Sequence, residues 1–381
     1  MTDSPSVGLL TGISDGFLAQ KLLDQLLIKH PDLYVLCLVA EPAIERAELF
    51  LSRLPLADRE RVEIVRADVS AMDFGLSGKD FLALAERVDV IHHCICGNYG
   101  GVGRDLERRH FVGSTGEILE LAFASGTRLQ RLVHWSSATL FPPQNGRVTE
   151  SEANRPAHAR TRDEDMRFRA ELLIRDALNK VPITVLRPTI IAGDSKSGEL
   201  DQAEGLYAWL QLIVNSPREL RLPMPGGGDQ PCHFVPIDYV IEAGLAIAGS
   251  PDSVGRTFHI ADERPTSVAR VFDAINEAAE RPAAPKGFAR NLAAFVFNAP
   301  GLDRLSQVPK SFLDLLATDM MYDVRNSREV LAGTGIECPN VLSYIKTVVQ
   351  QVRRQQDSSS IRPRKQRRDP HFEELDDPLD V

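Results

Sequence analysis

The stretch Val7–Leu27, VGLLTGISDGFLAQKLLDQLL, constrains the fold more than any other part of the chain. A short apolar run enters a glycine-containing turn, and leucines then recur at the spacing of one helix face. Glycines let such a turn close tightly and approach a ligand, while the free N–H groups of the new helix attract an anion. We therefore predict that a dinucleotide pyrophosphate binds at Gly12, Ile13, Ser14, Gly16, Phe17 and Leu18. A plain strand-to-helix turn has the same local pattern, so the rest of the chain must decide.

Strand-like apolar runs and helix-like segments alternate along the first half of the chain. After the first run, the strand-like segments are Leu33–Val39, Val62–Val69, Val88–Cys94, Leu132–Thr139 and Ile183–Pro188. Strands that alternate with helices form parallel sheets covered by helices on both faces. The sequence therefore predicts an α/β fold with a Rossmann-type, doubly wound parallel sheet.

Three residues at the ends of the second and third strand-like runs are expected to contact the adenosine part of the cofactor. Glu41 stands where such folds meet the adenosine ribose, and an acid there binds both hydroxyls and repels a 2′-phosphate. This favours NAD over NADP. Glu41 equally suits the start of a helix beside Pro42, and both interpretations stay open. Asp68 and the adjacent Val69 are expected beside the adenine.

Composition excludes several other classes of protein. The hydrophobic fraction of 43% is ordinary for a globular protein, and the net charge of −9 argues against nucleic-acid binding, which requires clustered Lys and Arg. No apolar run is long enough to cross a bilayer, and MTDSPSVGLL lacks the basic start of a signal peptide. The five cysteines have no metal or redox spacing, so we expect no metal site, reduced thiols and a cytoplasmic protein.

Several motifs occur in an order that is typical of one superfamily. They are Thr11–Leu18, Leu76–Ser77, Val88–His93, Ser136–Thr139, Leu186–Glu199 and Val235–Val240. Together they resemble the extended short-chain dehydrogenase/reductases, the group of the NAD-dependent epimerases and dehydratases. The segment Gly193–Glu199 points to the fatty acyl-CoA reductase and thioester-reductase branch. The resemblance covers Val7–Val349.

The resemblance implies a function and a division of the chain. It implies NAD or NADP as cofactor, contacts from Pro188 and Thr189, and a small-molecule substrate such as an acyl thioester or aldehyde; homodimers are common in the family. We predict a cofactor domain over residues 1–204, with 229–262 returning to it, and a substrate-binding part over 205–228 and 263–352. Residues 353–381 carry a basic block and an acidic end, which predicts a disordered tail.

The usual catalytic residues of the family are incomplete in this chain. The resemblance assigns the substrate-orienting serine to Ser137. Counting back from Ala170–Glu171 places Asp163 at the family's tyrosine position and Arg167 at its lysine position. No tyrosine occurs between Tyr99 and Tyr207, so a shift in register does not restore the dyad. Aspartate beside arginine at i,i+4 is expected to form a salt bridge, which makes it a poor proton donor.

Two hypotheses follow from this departure. In the first, the protein is an NAD(P)-dependent oxidoreductase that reduces an acyl thioester, aldehyde or other carbonyl. Ser137, Arg167 or His93 then stabilises the oxyanion of the tetrahedral intermediate. Tyr99 is a substitute for the missing catalytic tyrosine. In the second, the protein binds NAD(P) without turnover, as a sensor or as a partner subunit. The superfamily favours the first hypothesis, and the residues at the reacting centre favour the second.

Overall fold

The structure is a computed structural model that describes residues 6–14, 16–94, 104–141, 146–151, 159–216, 222, 224–282 and 308–359. Tyr99 lies outside these ranges. The strands are β1 (Val7–Leu10), β2 (Tyr34–Val39), β3 (Val62–Arg66), β4 (Val90–Cys94), β5 (Arg131–Trp135), β6 (Arg147–Val148), β7 (Ile183–Pro188), β8 (Ile190–Ile191), β9 (Phe234–Val235), β10 (Arg256–Ile260) and β11 (Met321–Tyr322).

Seven of these strands form one parallel sheet in the order β10-β7-β5-β4-β1-β2-β3. The chain winds outward from β1 in one direction and then from β4 in the other. The order therefore reverses between β1 and β4, where ligands bind in folds of this type. The predicted doubly wound parallel sheet is confirmed. The pairs β6–β11 and β8–β9 form two small separate sheets.

Helices cover both faces of the sheet. They are α1 (Phe17–Lys29), α2 (Ile44–Leu51), α3 (Leu56–Arg59), α4 (Gly78–Ala85), α5 (Arg104–Arg108), α6 (Ser114–Ser125), α7 (Arg162–Ala177), α8 (Gly205–Asn215), α9 (Ile237–Gly249), α10 (Val268–Ala278), α11 (Lys310–Leu316), α12 (Arg325–Leu331) and α13 (Val341–Ser359). Side chains of α1, α2 and α9 pack on one face, and those of α4, α6 and α7 pack on the other. Within the described ranges, none of the helices is long and apolar enough to cross a membrane.

A glycine explains how α9 lies so close to the end of β5. A Cβ atom on Gly244 would stand 2.4 Å from the indole of Trp135, a distance that real Cβ atoms do not adopt. The missing side chain lets the indole fill the space beneath α9. Because Trp135 is the last residue of β5, this packing fixes the point where the chain leaves the sheet.

A second hydrophobic core lies beside the sheet, formed by α8, α10, α11 and α13. Trp209 stacks on Phe272 in this core with ring centroids 5.6 Å apart. The helix α12 packs instead on β10 and α9, so part of 263–352 belongs with the sheet. The prediction that a disordered tail begins at residue 353 is wrong for the first seven residues, because α13 continues to Ser359. The other predicted domain boundaries remain predictions.

Candidate active site

The turn between β1 and α1 has the backbone geometry that a pyrophosphate requires. Gly12 has a φ of +85°, in the left-handed region that favours glycine. Gly16 is the extended N-cap of α1 and has no side chain with which to cap it. The first-turn amides, including those of Phe17 and Leu18, therefore remain for an anion. Ile13 is buried, and its carbonyl accepts a hydrogen bond from Gln20 Nε2 at 3.0 Å, which holds the turn against α1.

A buried histidine fastens this turn to β4 and α6. Thr115 Oγ1 donates to the carbonyl of Phe111 at 2.8 Å, so it accepts from His93 Nε2 at 3.1 Å. His93 Nδ1 lies 3.1 Å from Thr11 Oγ1, and this hydroxyl also donates to the Cys94 carbonyl at 3.2 Å and accepts from the Cys94 N–H at 3.0 Å. Burial lowers the pKa of His93 well below its usual value, in agreement with a neutral ring. Because His93 is buried and both its ring nitrogens contact hydroxyl groups of the protein, it is not available as an oxyanion donor.

The expected ribose and adenine residues lie together at the ends of β2 and β3. Glu41 begins a 3₁₀ turn with Pro42, so it starts the next helical segment directly after β2. Arg66, the last residue of β3, donates to the Glu41 carboxylate at 3.0 Å. Asp68 accepts hydrogen bonds from the N–H and hydroxyl of Ser70 at 2.9 and 2.7 Å. Sequence reasoning missed Arg66, although its place at the end of the third strand was readable.

The family's serine lies in a short segment after β5, Ser136–Leu140, which we call the serine loop. Ser137 caps the 3₁₀ turn Ala138–Leu140 by accepting from the Thr139 N–H at 3.3 Å. Its hydroxyl contacts the Thr139 hydroxyl at 2.9 Å and donates to the Pro188 carbonyl at 3.4 Å. Thr189 is buried, and its backbone N–H donates to Ile260 in β10 at 3.1 Å. Ser137 and Pro188 are thus brought together at the carboxyl ends of β5 and β7.

A fully buried ion pair supports the serine loop from below. Glu171 of α7 and Arg187 of β7 have side chains 1% and 0% exposed. The Arg187 Nε donates to both Glu171 oxygens at 3.0 and 3.2 Å, and the Ser136 hydroxyl donates to the same carboxylate. The guanidinium also lies 3.5 Å from the centre of the Phe141 ring. The position of Ser136, next to Ser137, is therefore set by a buried charge network.

The residues at the tyrosine and lysine positions form the expected salt bridge. Arg167 Nε donates to Asp163 Oδ2 at 2.8 Å, and the two side chains are 29% and 25% exposed. The Arg167 guanidinium lies 5.0 Å from the centre of the buried Phe111 ring. Phe111 lies in a π-helical turn, Arg109–Gly113. Asp163 is thus the acceptor in this pair.

The face of α7 that carries Arg167 points to the serine loop. Arg160, just before α7, pairs with Glu164 at 3.0 Å and donates to the carbonyl of Thr139. The carboxylate of Glu171, two helical turns after Glu164, accepts a hydrogen bond from the Ser136 hydroxyl. Since residues 164, 167 and 171 share one helix face, Arg167 lies between two points at which α7 is fastened to the serine loop. The helix that carries Asp163 and Arg167 is therefore held against the loop that carries Ser137.

The described part of the chain contains no group of three His, Cys, Asp or Glu residues that could hold a metal ion. The fit to a nicotinamide dinucleotide is good instead, because the uncapped amides of α1 provide an anion site. Cys37, Cys232 and Cys338 are free thiols, and burial raises the pKa of Cys37 to about 12. The chemistry at this edge of the sheet rests on hydroxyl, guanidinium and backbone groups.

Comparisons with known proteins agree with this arrangement. Residues 10–244 match the family described as male sterility protein, NAD_binding_4. Glycine betaine reductase ATRR from Emericella nidulans is 30% identical over 291 residues, which are 72% of this chain and 22% of that protein. The chain thus spans about a fifth of the length of this relative.

Two solved structures share the fold. The terminal R domain from the myxalamid PKS-NRPS biosynthetic pathway has a TM-score of 0.77 at 24% identity, covering 94% of this chain and 93% of that domain. The reductase (R) domain of a nonribosomal peptide synthetase from Mycobacterium tuberculosis has a TM-score of 0.66 at 21% identity, covering 91% of each chain. The chain belongs to the male sterility protein family, as an extended short-chain dehydrogenase/reductase of the thioester-reductase-like, NAD(P)-binding, oxidoreductase type.

Proposed function

We propose that this protein reduces an acyl thioester to an aldehyde with NADH or NADPH. The observation that carries the proposal is that Ser137 lies at the carboxyl ends of β5 and β7, and that the helix that carries Arg167 is fastened to the same serine loop. Relatives support the substrate class, since the similar proteins include a reductase of glycine betaine and reductase domains of peptide and polyketide synthetases. The identity of the acyl group stays open.

The cofactor would be held by the glycine turn and the first amides of α1, with its ribose beside Glu41. When bound, it supplies a hydride for the carbonyl carbon. The Ser137 hydroxyl would exchange its long hydrogen bond to the Pro188 carbonyl, 3.4 Å, for one to the substrate oxygen. The Arg167 guanidinium stabilises the negative charge that develops on that oxygen, and Asp163 fixes its orientation. Arg167 thus keeps the charge that the family's lysine carries.

The missing tyrosine favours a thioester over an aldehyde as substrate. Addition of hydride to a thioester carbonyl gives a tetrahedral alkoxide, which re-forms the carbonyl and expels a thiolate. The products are an aldehyde and a thiolate, so the substrate oxygen never needs a proton. Reduction of an aldehyde to an alcohol needs one, and the carboxylate of Asp163 in its ion pair does not provide it. We therefore expect the reaction to stop at the aldehyde.

The test combines cofactor binding with thioester turnover. NADH and NADPH are titrated by nicotinamide fluorescence, and oxidation at 340 nm is then followed with a series of acyl thioesters. Ser137→Ala is expected to lower kcat/KM by about 10- to 1000-fold while cofactor Kd stays within threefold. Arg167→Gln should lower kcat/KM by a similar factor. Arg169→Gln is the matched control, because Arg169 lies on the same helix in a more exposed ion pair with Asp165. Cofactor binding with equal turnover by all variants would contradict the proposed roles.

A second candidate function is binding of NAD(P) without turnover. One observation favours it, namely that Asp163 and Arg167, at the positions that the resemblance assigns to the family's tyrosine and lysine, are paired with each other. Under this function the protein binds a nicotinamide dinucleotide tightly but oxidises none with any thioester or aldehyde. The same titration and turnover series therefore separates the two functions.

A further inference from the structure

A strained turn follows β3, and we call its residues, 68–75, the β3 turn. Asp73 and Phe74 have φ values of +50° and +58°, in the left-handed region that residues other than glycine rarely adopt. Two such residues in succession cost free energy and persist only where their surroundings fix the backbone. The side chain of Phe74 is 1% exposed and packs on Phe81 with ring centroids 5.6 Å apart. Contacts with the rest of the fold therefore hold the β3 turn in this conformation.

A carboxylate from α6 fastens the backbone of the β3 turn. Glu117 Oε2 accepts a hydrogen bond from the Asp73 N–H at 2.9 Å, and this N–H belongs to the first of the two left-handed residues. A charged acceptor makes such a bond stronger than a neutral one. The turn also lies close to the start of α6, since a Cβ atom on Gly113 would stand 3.7 Å from the Ser70 carbonyl oxygen. Glu117 therefore couples the strained backbone to a helix that packs on the sheet.

The β3 turn begins with the two residues that are expected beside the adenine. The Asp68 N–H donates to the Phe74 carbonyl at 3.0 Å, so the second left-handed residue is joined to the start of the turn. Asp68 Oδ1 accepts from the N–H and the hydroxyl of Ser70 at 2.9 and 2.7 Å, which orients this carboxylate within the turn. A relaxed Phe74 would therefore move the backbone of Asp68 and of the adjacent Val69.

We propose that Glu117 is a positioning residue for the adenine end of the cofactor site. Its hydrogen bond to the Asp73 N–H keeps the β3 turn in the strained form, and this form holds Asp68 and Val69 in place for the adenine. The inference rests on the proposed cofactor binding and deepens it. Glu117 acts through the backbone of the turn, so its removal should weaken binding of the adenosine half of the cofactor and leave binding of the nicotinamide half unchanged.

The test compares ligands that contain different halves of the cofactor, all with the full chain. NADH and ADP-ribose contain the adenosine, whereas reduced nicotinamide mononucleotide lacks it. Glu117→Ala should raise the Kd of NADH and of ADP-ribose by about tenfold, the value of one hydrogen bond to a charged group, and change the Kd of the mononucleotide by less than about twofold. Glu117→Gln keeps an oxygen that accepts from the Asp73 N–H, so the Kd of NADH should return to within about threefold of the original. Glu120→Ala is the matched control, because Glu120 is exposed and lies one turn further along α6.

Each outcome decides between distinct claims. Weaker binding of NADH and ADP-ribose by Glu117→Ala, with the mononucleotide unaffected and Glu120→Ala unchanged, supports the positioning role. Equal losses for both halves of the cofactor would show that Glu117 only stabilises the fold, and would overturn the proposal. Unchanged affinities in Glu117→Ala, or the same loss in Glu120→Ala, would overturn it while cofactor binding stands. If the unaltered chain binds neither NADH nor NADPH, the proposed function itself fails, and the positioning role fails with it.

Discussion

Removal of Arg187 should destabilise the protein far more than removal of any surface arginine. Its guanidinium and the Glu171 carboxylate are 0% and 1% exposed, and they are joined through Nε at 3.0 and 3.2 Å and through Nη2. Arg187→Met leaves a buried carboxylate whose main remaining partner is the Ser136 hydroxyl. Breaking a buried pair from one side costs about 3–5 kcal/mol, so we expect a loss of that size in the free energy of unfolding.

A double variant separates the charge effect from the loss of packing. Arg187→Met with Glu171→Met removes both buried charges together, leaving only a few polar groups, such as the Ser136 hydroxyl, without partners. The double variant should therefore lose about 3 kcal/mol less than the sum of the two single losses. Simple additivity would show that the two side chains do not stabilise each other.

Urea unfolding followed by tryptophan fluorescence measures these losses. The fluorescence of Trp135 follows unfolding of the sheet, and that of Trp209 follows unfolding of the second core. A Trp209→Phe background therefore leaves only the fluorescence of Trp135, which belongs to the same sheet as Arg187. Arg169→Met, which opens the exposed pair with Asp165, should cost less than about 1 kcal/mol. A loss below about 1 kcal/mol for Arg187→Met would refute the account of the buried pair.

Two further predictions concern stability. Gly198→Ala should lower the free energy of unfolding by about 1–3 kcal/mol, because Gly198 has a φ of +74° and an added Cβ would lie 2.5 Å from the Thr347 carbonyl oxygen. Urea unfolding followed by the fluorescence of Trp209 measures this loss. An unchanged midpoint would contradict the prediction. Burial lowers the pKa of His233 to about 4 and of His259 to about 3, so the unfolded chain binds protons first as pH falls below 6.5. The stabilisation from these neutral rings is therefore fully present above pH 6.5. At pH 5 each histidine should lower the free energy of unfolding by about 2 kcal/mol, so this free energy should fall between pH 7 and pH 5. A flat profile would show that these rings do not stay neutral.

The sheet was predictable because its signal is local and repeated. Buried parallel strands read as apolar runs, and the glycine turn after the first run fixed where a helix begins. The second core was less readable, since α8, α10, α11 and α13 are distant in sequence and pack through irregular connections. The predicted tail began too early, at residue 353, because charged residues with good helix propensity can extend a helix even where they bury no side chains, and α13 continues to Ser359.

The candidate site was predictable where one residue determines the chemistry, and not where contacts across the fold do. The Asp163–Arg167 pair followed from i,i+4 spacing on a helix. The pairing of Glu41 with Arg66 required the register of β2 and β3, which no local pattern gives. The role of His93 likewise depended on hydroxyls from two other elements, and only these contacts showed that both ring nitrogens are occupied.

The most direct test of the central claim follows the hydride itself. The protein is incubated with NADH or NADPH deuterated at C4 and an acyl thioester. The released thiol is titrated first, and the aldehyde is then trapped as its 2,4-dinitrophenylhydrazone and analysed by mass spectrometry. The account predicts one deuterium on the former carbonyl carbon of an aldehyde, and one thiol released for each cofactor oxidised. Bound cofactor that is never oxidised, with no thiol released from any thioester, would contradict the account and leave a dinucleotide-binding protein without turnover.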